Sequence, residues 1–244
     1  MDDREQFEFE RKQNIIKLGN DKKLIDQSNK WISDSAQYKY SYNFDWLGLP
    51  IIQYPQDIIA IQEIIWKTKP NIIIETGVAR GGSLMLSASI LEILNDRGLV
   101  IGVDIDIRDH NRKAIENHPL AKRIRLIEGS SVSKNVINEI DKYVKKNDNV
   151  LVILDSNHTH DHVLNELIIY EKYMMKNNYM LVMDTIIEDM PENSYPNRPW
   201  DKQNNPKTAI KEFLNHSDRF EIDHSIHNKL LITVAHSGYL KCIK

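Results

Sequence analysis

Two apolar runs of the sequence end in an acid, and a histidine follows the first of these acids closely. Residues 150–154 lead into Asp155, His158 comes three residues later, and residues 179–183 lead into Asp184. Carboxylates at neighbouring strand ends can hold a hard cation such as Mg²⁺, which needs only one or two of them. Imidazole accepts a proton near neutral pH. We therefore predict Asp155 and Asp184 as metal ligands and His158 as the general base that deprotonates a hydroxyl.

Other interpretations of this segment stay open. Asp155 could instead cap the helix that we predict from Thr159. His160 and His162 fall inside that helix, and we predict them as solvated or packing residues. A His/His/carboxylate iron site built from Asp155, His158 and His162 is the metal alternative.

A glycine-rich turn follows the apolar run of Ile72, Ile73 and Ile74. Its pattern, Gly-x-x-x-Gly-Gly, is neither the dinucleotide fingerprint nor a triphosphate loop, because no lysine follows the glycines. With acids nearby it suits a cationic nucleoside such as S-adenosylmethionine better than a pyrophosphate, although a turn that only packs helix on strand is the alternative. The predicted cofactor-binding residues of this turn are Glu75, Gly77, Ala79, Gly81, Gly82 and Ser83.

The next two strands supply the rest of the predicted nucleoside site. The run 99–104 ends in Asp104, placed where doubly wound folds carry a ribose-binding carboxylate. Asp106 is an alternative for that role, or a cap for the helix that begins near Asp109. Ser130 follows the third strand and is predicted beside the adenine, and Asp155 is also predicted to contact the cofactor.

Strands and helices alternate along the chain, which predicts an α/β fold with a mostly parallel sheet and helices on both faces. The predicted strands lie near 72–75, 99–104, 123–127, 149–154 and 179–184. Residues 220–223 and 229–235 are predicted as two further strands in a hairpin-like finish. The result is a Rossmann-like, seven-stranded sheet with an antiparallel C-terminal strand.

The chain is divided into two predicted parts. Residues 1–56 form a helical and aromatic arm or cover, and residues 57–244 form the cofactor-binding domain, with Asp57 predicted to cap a helix that reaches Trp66. The segment 188–205 contains three prolines and is predicted as a non-helical loop. We predict either that this loop covers the acceptor, with Arg198 and Trp200 as substrate-binding residues, or that it is only a structural crossover.

The composition of the chain limits which kinds of partner and location we expect. The 244 residues carry 32 Lys+Arg against 35 Asp+Glu, a formal charge of -3, so we expect no nucleic-acid partner. The single cysteine forbids an internal disulfide. The polar N-terminus and the lack of a long apolar run predict a cytoplasmic protein without a membrane span.

Several motifs together resemble one known family. They are residues 53–57 (QYPQD), 75–83 (ETGVARGGS), 101–106 (IGVDID), 155–158 (DSNH), 198–200 (RPW) and 205–214 (NPKTAIKEFL). In this order and spacing they resemble the cephalosporin hydroxylase and rhamnosyl O-methyltransferase group, which are class I S-adenosylmethionine-dependent enzymes.

The resemblance implies transfer of a methyl group to a sugar hydroxyl of a surface glycan, such as a lipopolysaccharide, or of a glycosylated natural product. It implies Mg²⁺ held by Asp155 and Asp184, His158 as base, and a homo-oligomer. Met183 departs from the pattern, because relatives with an acidic pair carry glutamate there. Either the site works with fewer carboxylates, or Glu188 or Asp189 joins it, or the metal is weakened. A metal-dependent oxygenase and a non-catalytic adenosyl-binding partner are the alternative functions.

Overall fold

The structure is a computed structural model that describes residues 1–94 and 97–244. The α-helices of the described residues are α1 (Asp3–Asn20), α2 (Lys22–Ala36), α3 (Pro55–Thr68), α4 (Gly82–Ile93), α5 (Asp109–Glu116), α6 (Lys134–Ile140), α7 (His160–Tyr170), α8 (Pro206–His216) and α9 (His224–Leu230). The strands are β1 (Phe44–Trp46), β2 (Leu49–Ile51), β3 (Ile72–Thr76), β4 (Leu99–Asp104), β5 (Ile124–Glu128), β6 (Val150–Leu154), β7 (Tyr179–Val182), β8 (Phe220–Ile222) and β9 (Tyr239–Cys242).

Seven strands form one sheet in the order β5-β4-β3-β6-β7-β9-β8. The five strands from β5 to β7 are parallel, and β9 runs antiparallel to both β7 and β8. Every residue of β3 and β6 is buried, as expected for central strands covered by helices on both faces. The predicted Rossmann-like sheet with its antiparallel C-terminal strand is confirmed. The chain reverses its strand order between β3 and β6, so the ligand crevice is expected at their carboxyl ends.

Side chains that alternate along the strands pack into two apolar cores, one on each face of the sheet. Ile73, Leu151 and Leu181 pack on one face with α3 and α4, whereas Ile74, Val152 and Met180 pack on the other with α7 and α8. This two-sided burial fixes the strand register, because a slip of one residue would exchange the two faces.

The predicted strand at 229–235 is wrong. Residues 224–230 form α9, and the partner of β8 is instead β9. Gly238 lies just before β9, where a Cβ would come 2.1 Å from the backbone oxygen of Val182. The chain therefore enters the sheet only after this close approach, several residues later than the apolar pattern indicates.

The predicted cap role of Asp57 is also wrong, because α3 begins at Pro55 with Tyr54 as its N-cap residue. Asp57 is completely buried and accepts hydrogen bonds from Thr233 Oγ1, from the backbone N–H of Val234 and from Tyr239 Oη. Burial raises the pKa of its carboxyl from 3.8 to about 6. Asp57 therefore ties the start of α3 to the chain just before β9 instead of capping the helix.

The N-terminal arm contains two helices and a small hairpin. Helix α1 buries no residue and packs on α9, whereas α2 buries Ile32. Strands β1 and β2 pair antiparallel beside α4. Over residues 1–94 and 97–244, none of the helices combines the length and apolarity that crossing a membrane requires.

Candidate active site

A cavity of about 800 Å³ opens at the carboxyl ends of the central strands. Loops after β3, β4, β5, β6 and β7 all contribute to its wall, as does the arm. Of the residues predicted from sequence, those that line it are Gly77, Ala79, Asp104, Ser130, Asp155, His158, Asp184, Arg198 and Trp200. One cavity thus joins the predicted cofactor, metal and acceptor residues.

The glycine turn after β3 makes close contact with the neighbouring strand end. Gly77 has φ +93°, and a Cβ there would lie 2.0 Å from the backbone oxygen of Asp155. The Gly77 N–H donates to the oxygen of Val103 at 2.7 Å, and the Asp155 N–H donates to the oxygen of Thr76 at 2.9 Å. The turn is therefore attached by backbone hydrogen bonds to the strands on either side, and only glycine fits at position 77.

The other predicted residues of the turn lie behind the cavity wall. A Cβ on Gly81 would meet Ile115, and one on Gly82 would come 2.4 Å from the oxygen of Pro50. The Ser83 hydroxyl donates a short hydrogen bond to Glu75 Oε1. These residues shape the turn and let α4 pack closely on its neighbours, so their contact with a cofactor stays a prediction.

Asp104 lines the cavity at the end of β4 and is only partly buried. Its Oδ2 accepts from the N–H groups of Val78 at 2.8 Å and Ala79 at 3.3 Å. The carboxylate thus holds the glycine turn while remaining open to a ligand. Asp106, the alternative, is exposed and caps no helix, because α5 begins after Arg108.

Two buried acceptor atoms close to Asp155 lack a hydrogen-bond partner. Gln53 is 4% exposed and donates from Nε2 to Asp155 Oδ2 at 3.0 Å, whereas its Oε1 is unpartnered. Glu75 is 1% exposed, and its Oε2 is also unpartnered. Burial raises the pKa of Glu75 from 4.5 to about 7. Acceptors left unsatisfied in this way fit a ligand that brings N–H donors and positive charge.

Asp155, His158 and Asp184 come together in the same cavity. One potential ligand atom of each lies within 4.8 Å of those of the other two. Burial raises the pKa of Asp155 well above its usual value, and the nearby carboxylates of Asp184 and Glu75 add to the increase. Mutual repulsion of this kind is relieved when a cation binds, and the carboxylate oxygens of Asp155 and Asp184 are donors that fit Mg²⁺.

Neither of the acids proposed to replace a glutamate at position 183 joins this cluster. Met183 is buried in the core. Glu188 Oε2 accepts from the side chain of Asn205 and the N–H of Gln203, and Asp189 pairs with Lys207 Nζ at 2.7 Å. The first sequence interpretation, a site with fewer carboxylates, therefore matches the geometry.

His158 lies between an acid and an aromatic ring. Its Nδ1 is 3.4 Å from Asp184 Oδ2. Its ring packs edge to face against that of Trp200, with 4.7 Å between the ring centroids. The guanidinium of Arg198 stacks over Trp200 at 5.1 Å. The loop that carries both residues has no helix between 190 and 205, but the first two residues of the predicted loop, Glu188 and Asp189, belong to the 3-10 helix Thr185–Asp189. It reaches the candidate base directly, which favours a covering role for the loop over a simple crossover.

The two other histidines of the segment lie apart from the acidic cluster. His160 Nδ1 contacts Thr208 Oγ1 at 2.8 Å, and its Nε2 contacts Glu212, so it links α7 to α8 as a packing residue. His162 contacts serines and Glu166, so the iron site with His162 finds no support. Asp155 caps nothing, because the N-cap residue of α7 is Thr159.

Sequence reasoning missed the part of the wall that comes from the arm. Tyr40 and Tyr54 line the cavity and lie 5.6 Å apart between ring centroids, and Tyr195 of the loop joins them. Their aromatic character was visible in the sequence, but no spacing rule relates residue 40 to residue 195. Gln53 was visible only as a family motif, without a role.

The family model described as "Rhamnosyl O-methyltransferase/CmcI" matches residues 38–243 of the chain. The chain belongs to this family. A rhamnosyl O-methyltransferase of Mycobacterium leprae is 26% identical over 173 residues, covering 69% of this chain and 70% of that protein. The corresponding protein of Mycobacterium tuberculosis strain H37Rv is 27% identical over 175 residues, covering 69% and 66%. The range matched by the family model, 38–243, begins inside the N-terminal arm and includes the acidic cluster of Asp155, His158 and Asp184.

Solved structures show the same fold. A structure of CmcI with Mg and SAM is similar with a TM-score of 0.57 at 18% identity, covering 83% of this chain and 78% of that one. An O-methyltransferase from Bacillus cereus in complex with SAH gives a TM-score of 0.52 at 12% identity, covering 89% and 91%. These similarities confirm the class I methyltransferase fold.

Proposed function

We propose that this chain is an S-adenosylmethionine-dependent O-methyltransferase that methylates a sugar hydroxyl with the help of Mg²⁺. The observation that carries the proposal is the meeting of Asp155, His158 and Asp184 in the same cavity as Asp104 and the glycine turn. The family relatives named as rhamnosyl O-methyltransferases support a sugar as acceptor. A glycan or a glycosylated natural product is the corresponding substrate class.

The cofactor fits the unsatisfied atoms of the site. S-Adenosylmethionine carries an ammonium and a sulfonium group, and the region around Gln53, Glu75 and Asp155 offers buried acceptors and negative charge. Asp104 at the end of β4 is positioned to accept from the ribose hydroxyls. In this proposal the nucleoside lies over β4 and the methionine part over β3 and β6, next to Asp155, His158 and Asp184.

His158 would remove the proton from the acceptor hydroxyl as the oxygen attacks the methyl carbon. With a proton on Nδ1, which lies 3.4 Å from Asp184 Oδ2, His158 would have Nε2 available to accept the proton. Asp155 and Asp184 would hold Mg²⁺, which when bound supplies positive charge to stabilise the developing alkoxide. Because the methyl group of the sulfonium is already activated, the protein contributes mainly alignment of oxygen and carbon.

The proposal is tested by calorimetric titration with S-adenosylmethionine and S-adenosylhomocysteine, with and without Mg²⁺. We expect micromolar binding by the wild type and, for Asp104→Ala, a loss on the order of 10-fold or more, because the variant removes a charge-assisted bond to ribose. The Asp106→Ala variant serves as the matched control, since Asp106 is exposed and should not alter the affinity. If neither ligand binds the wild type, the methyltransferase proposal is rejected.

Cofactor binding should also depend on pH through Glu75. Its pKa of about 7 in the free protein means that the carboxyl is partly protonated at neutral pH. A bound cation favours the charged carboxylate, so the pKa falls, a proton is released, and affinity for S-adenosylmethionine rises from pH 6 to pH 8. Calorimetry in two buffers of different ionisation enthalpy measures this proton. Glu75→Gln should reduce the release, and an equal release by that variant would assign the proton to another group.

A further inference from the structure

A polar cluster where the loop after β5 meets α7 has no role in the chemistry described above. Glu166 is fully buried, and its Oε1 accepts from the hydroxyls of Ser131 at 2.5 Å and Ser156 at 2.9 Å. His162 Nε2 lies 3.1 Å from Ser131 Oγ, 3.2 Å from Ser156 Oγ and 3.4 Å from Glu166 Oε1. Ser131, Ser156 and His162 all line the cavity.

The hydrogen bonds of this cluster favour one tautomer of His162. Each serine hydroxyl has one hydrogen, and both hydrogens are donated to Glu166 Oε1. With both hydrogens on Glu166, the atoms around His162 Nε2 are three acceptors, and we assign the ring proton to Nε2. In a neutral imidazole the other nitrogen, Nδ1, is then an acceptor, and no residue of the described ranges donates to it.

His162 lines the part of the cavity that we assign to the nucleoside. Asp104 and the loop 129–131 line the same end, and β5 is the strand next to β4 on its outer side. If Asp104 binds the ribose, the adenine ring of the cofactor lies toward β5 and the loop that follows it. The exocyclic amino group of adenine is a donor that an imidazole acceptor can bind. The carbonyl of hypoxanthine at the same position would set one acceptor against another.

We propose that His162, oriented by Glu166, accepts a hydrogen bond from the exocyclic amino group of the cofactor's adenine and thereby selects adenine against a 6-oxopurine. This inference rests on the proposed function, since it takes S-adenosylmethionine as the ligand. His162 is the specificity-determining residue. Glu166 acts through it, as a positioning residue, by keeping both serine hydrogens away from Nε2.

The test compares the affinities of S-adenosylhomocysteine and S-inosylhomocysteine by calorimetry. We expect the wild type to bind the adenosyl compound about tenfold or more tightly, because the inosyl compound leaves two acceptors facing each other. His162→Ala should reduce this ratio by about fivefold or more. The ratio is informative even where the substitution weakens both ligands equally through a structural effect.

The control is His160→Ala, a histidine of the same helix that contacts Thr208 and Glu212 and does not line the cavity. Its affinity ratio should equal that of the wild type. A ratio in His162→Ala that matches the wild type, or a wild type that binds both compounds equally, overturns the inference while leaving the proposed function intact. Failure of the wild type to bind either compound rejects the proposed function and this inference together.

The variant Glu166→Met provides a second test of the inference. This side chain has similar length but accepts no hydrogen from the serines, so Ser131 or Ser156 becomes free to donate to Nε2. The proton of His162 then moves to Nδ1, which becomes a donor and favours the carbonyl of the inosyl compound. We expect the affinity ratio to fall below that of the wild type in a variant that still shows a cooperative melting transition. An unchanged ratio rejects the positioning role of Glu166.

Discussion

Replacing Asp155 with asparagine should weaken Mn²⁺ binding, used as a probe for the Mg²⁺ site, by on the order of 100-fold or more. The site has two carboxylates, since Met183 offers none and Glu188 and Asp189 are engaged elsewhere. Losing one therefore removes half of the negative charge that holds the cation. Isothermal titration with Mn²⁺ measures the affinity directly and needs no knowledge of the acceptor.

The same substitution should leave the metal-free protein at least as stable as the wild type. Asp155 is held close to Asp184 and Glu75, and its raised pKa reports the cost of placing these charges together. Asparagine removes that cost and can still accept the hydrogen bond from Gln53. Thermal melting in EDTA checks this expectation.

Asp189→Asn is the matched control for metal binding. Asp189 is one of the acids that the sequence allowed as a ligand, but it pairs with Lys207 and with His236. Its variant should bind Mn²⁺ with wild-type affinity. If Asp189→Asn weakens the metal as much as Asp155→Asn does, the assignment of the ligand pair is wrong.

The second large effect is expected for His158→Ala, which should lower kcat for methyl transfer by roughly 10²- to 10⁴-fold. The variant removes the proton acceptor but none of the residues proposed to hold the cofactor. Its affinity for S-adenosylhomocysteine should therefore stay within about twofold of the wild type. The assay follows labelled methyl transfer from S-adenosylmethionine to a sugar acceptor that is first identified with the wild type.

Two measurements separate a lost base from a disturbed site. Added imidazole should restore part of the rate of His158→Ala, because the free base can enter the space that the side chain leaves. His160→Ala should keep the wild-type rate, since His160 packs between α7 and α8. A rate for His158→Ala above about half that of the wild type would exclude His158 as the base.

The sheet and most of the acidic cluster were predictable from sequence because both depend on local patterns. Unbroken apolar runs marked β3 and β6, and a parallel sheet places the residues after such runs at one edge. Asp155 and Asp184 could therefore be paired before any coordinates were known. His158 followed from its distance to Asp155 along the chain.

The parts that could not be predicted depend on contacts between distant segments. Asp57 looked like a helix cap because capping is a local rule, yet its partners lie more than 170 positions later, at Thr233, Val234 and Tyr239. The roles of Gln53 and His162 likewise depend on what the fold brings beside them. His162 looked like a packing residue because Ser131, 31 positions earlier, is brought to it only by the folded chain, although Glu166 lies one turn later on the same helix.

The contact between Gly77 and the backbone oxygen of Asp155 has a further consequence for catalysis. At this point two main chains touch with no room for a side chain, and hydrogen bonds fix each of them to a neighbouring strand. One of these chains belongs to the turn proposed to carry the methyl donor, and the other carries the acid proposed to bind the metal. In the proposed complex, the spacing between the turn that carries the donor and the strand end that carries Asp155 would therefore be set by the backbone of the sheet.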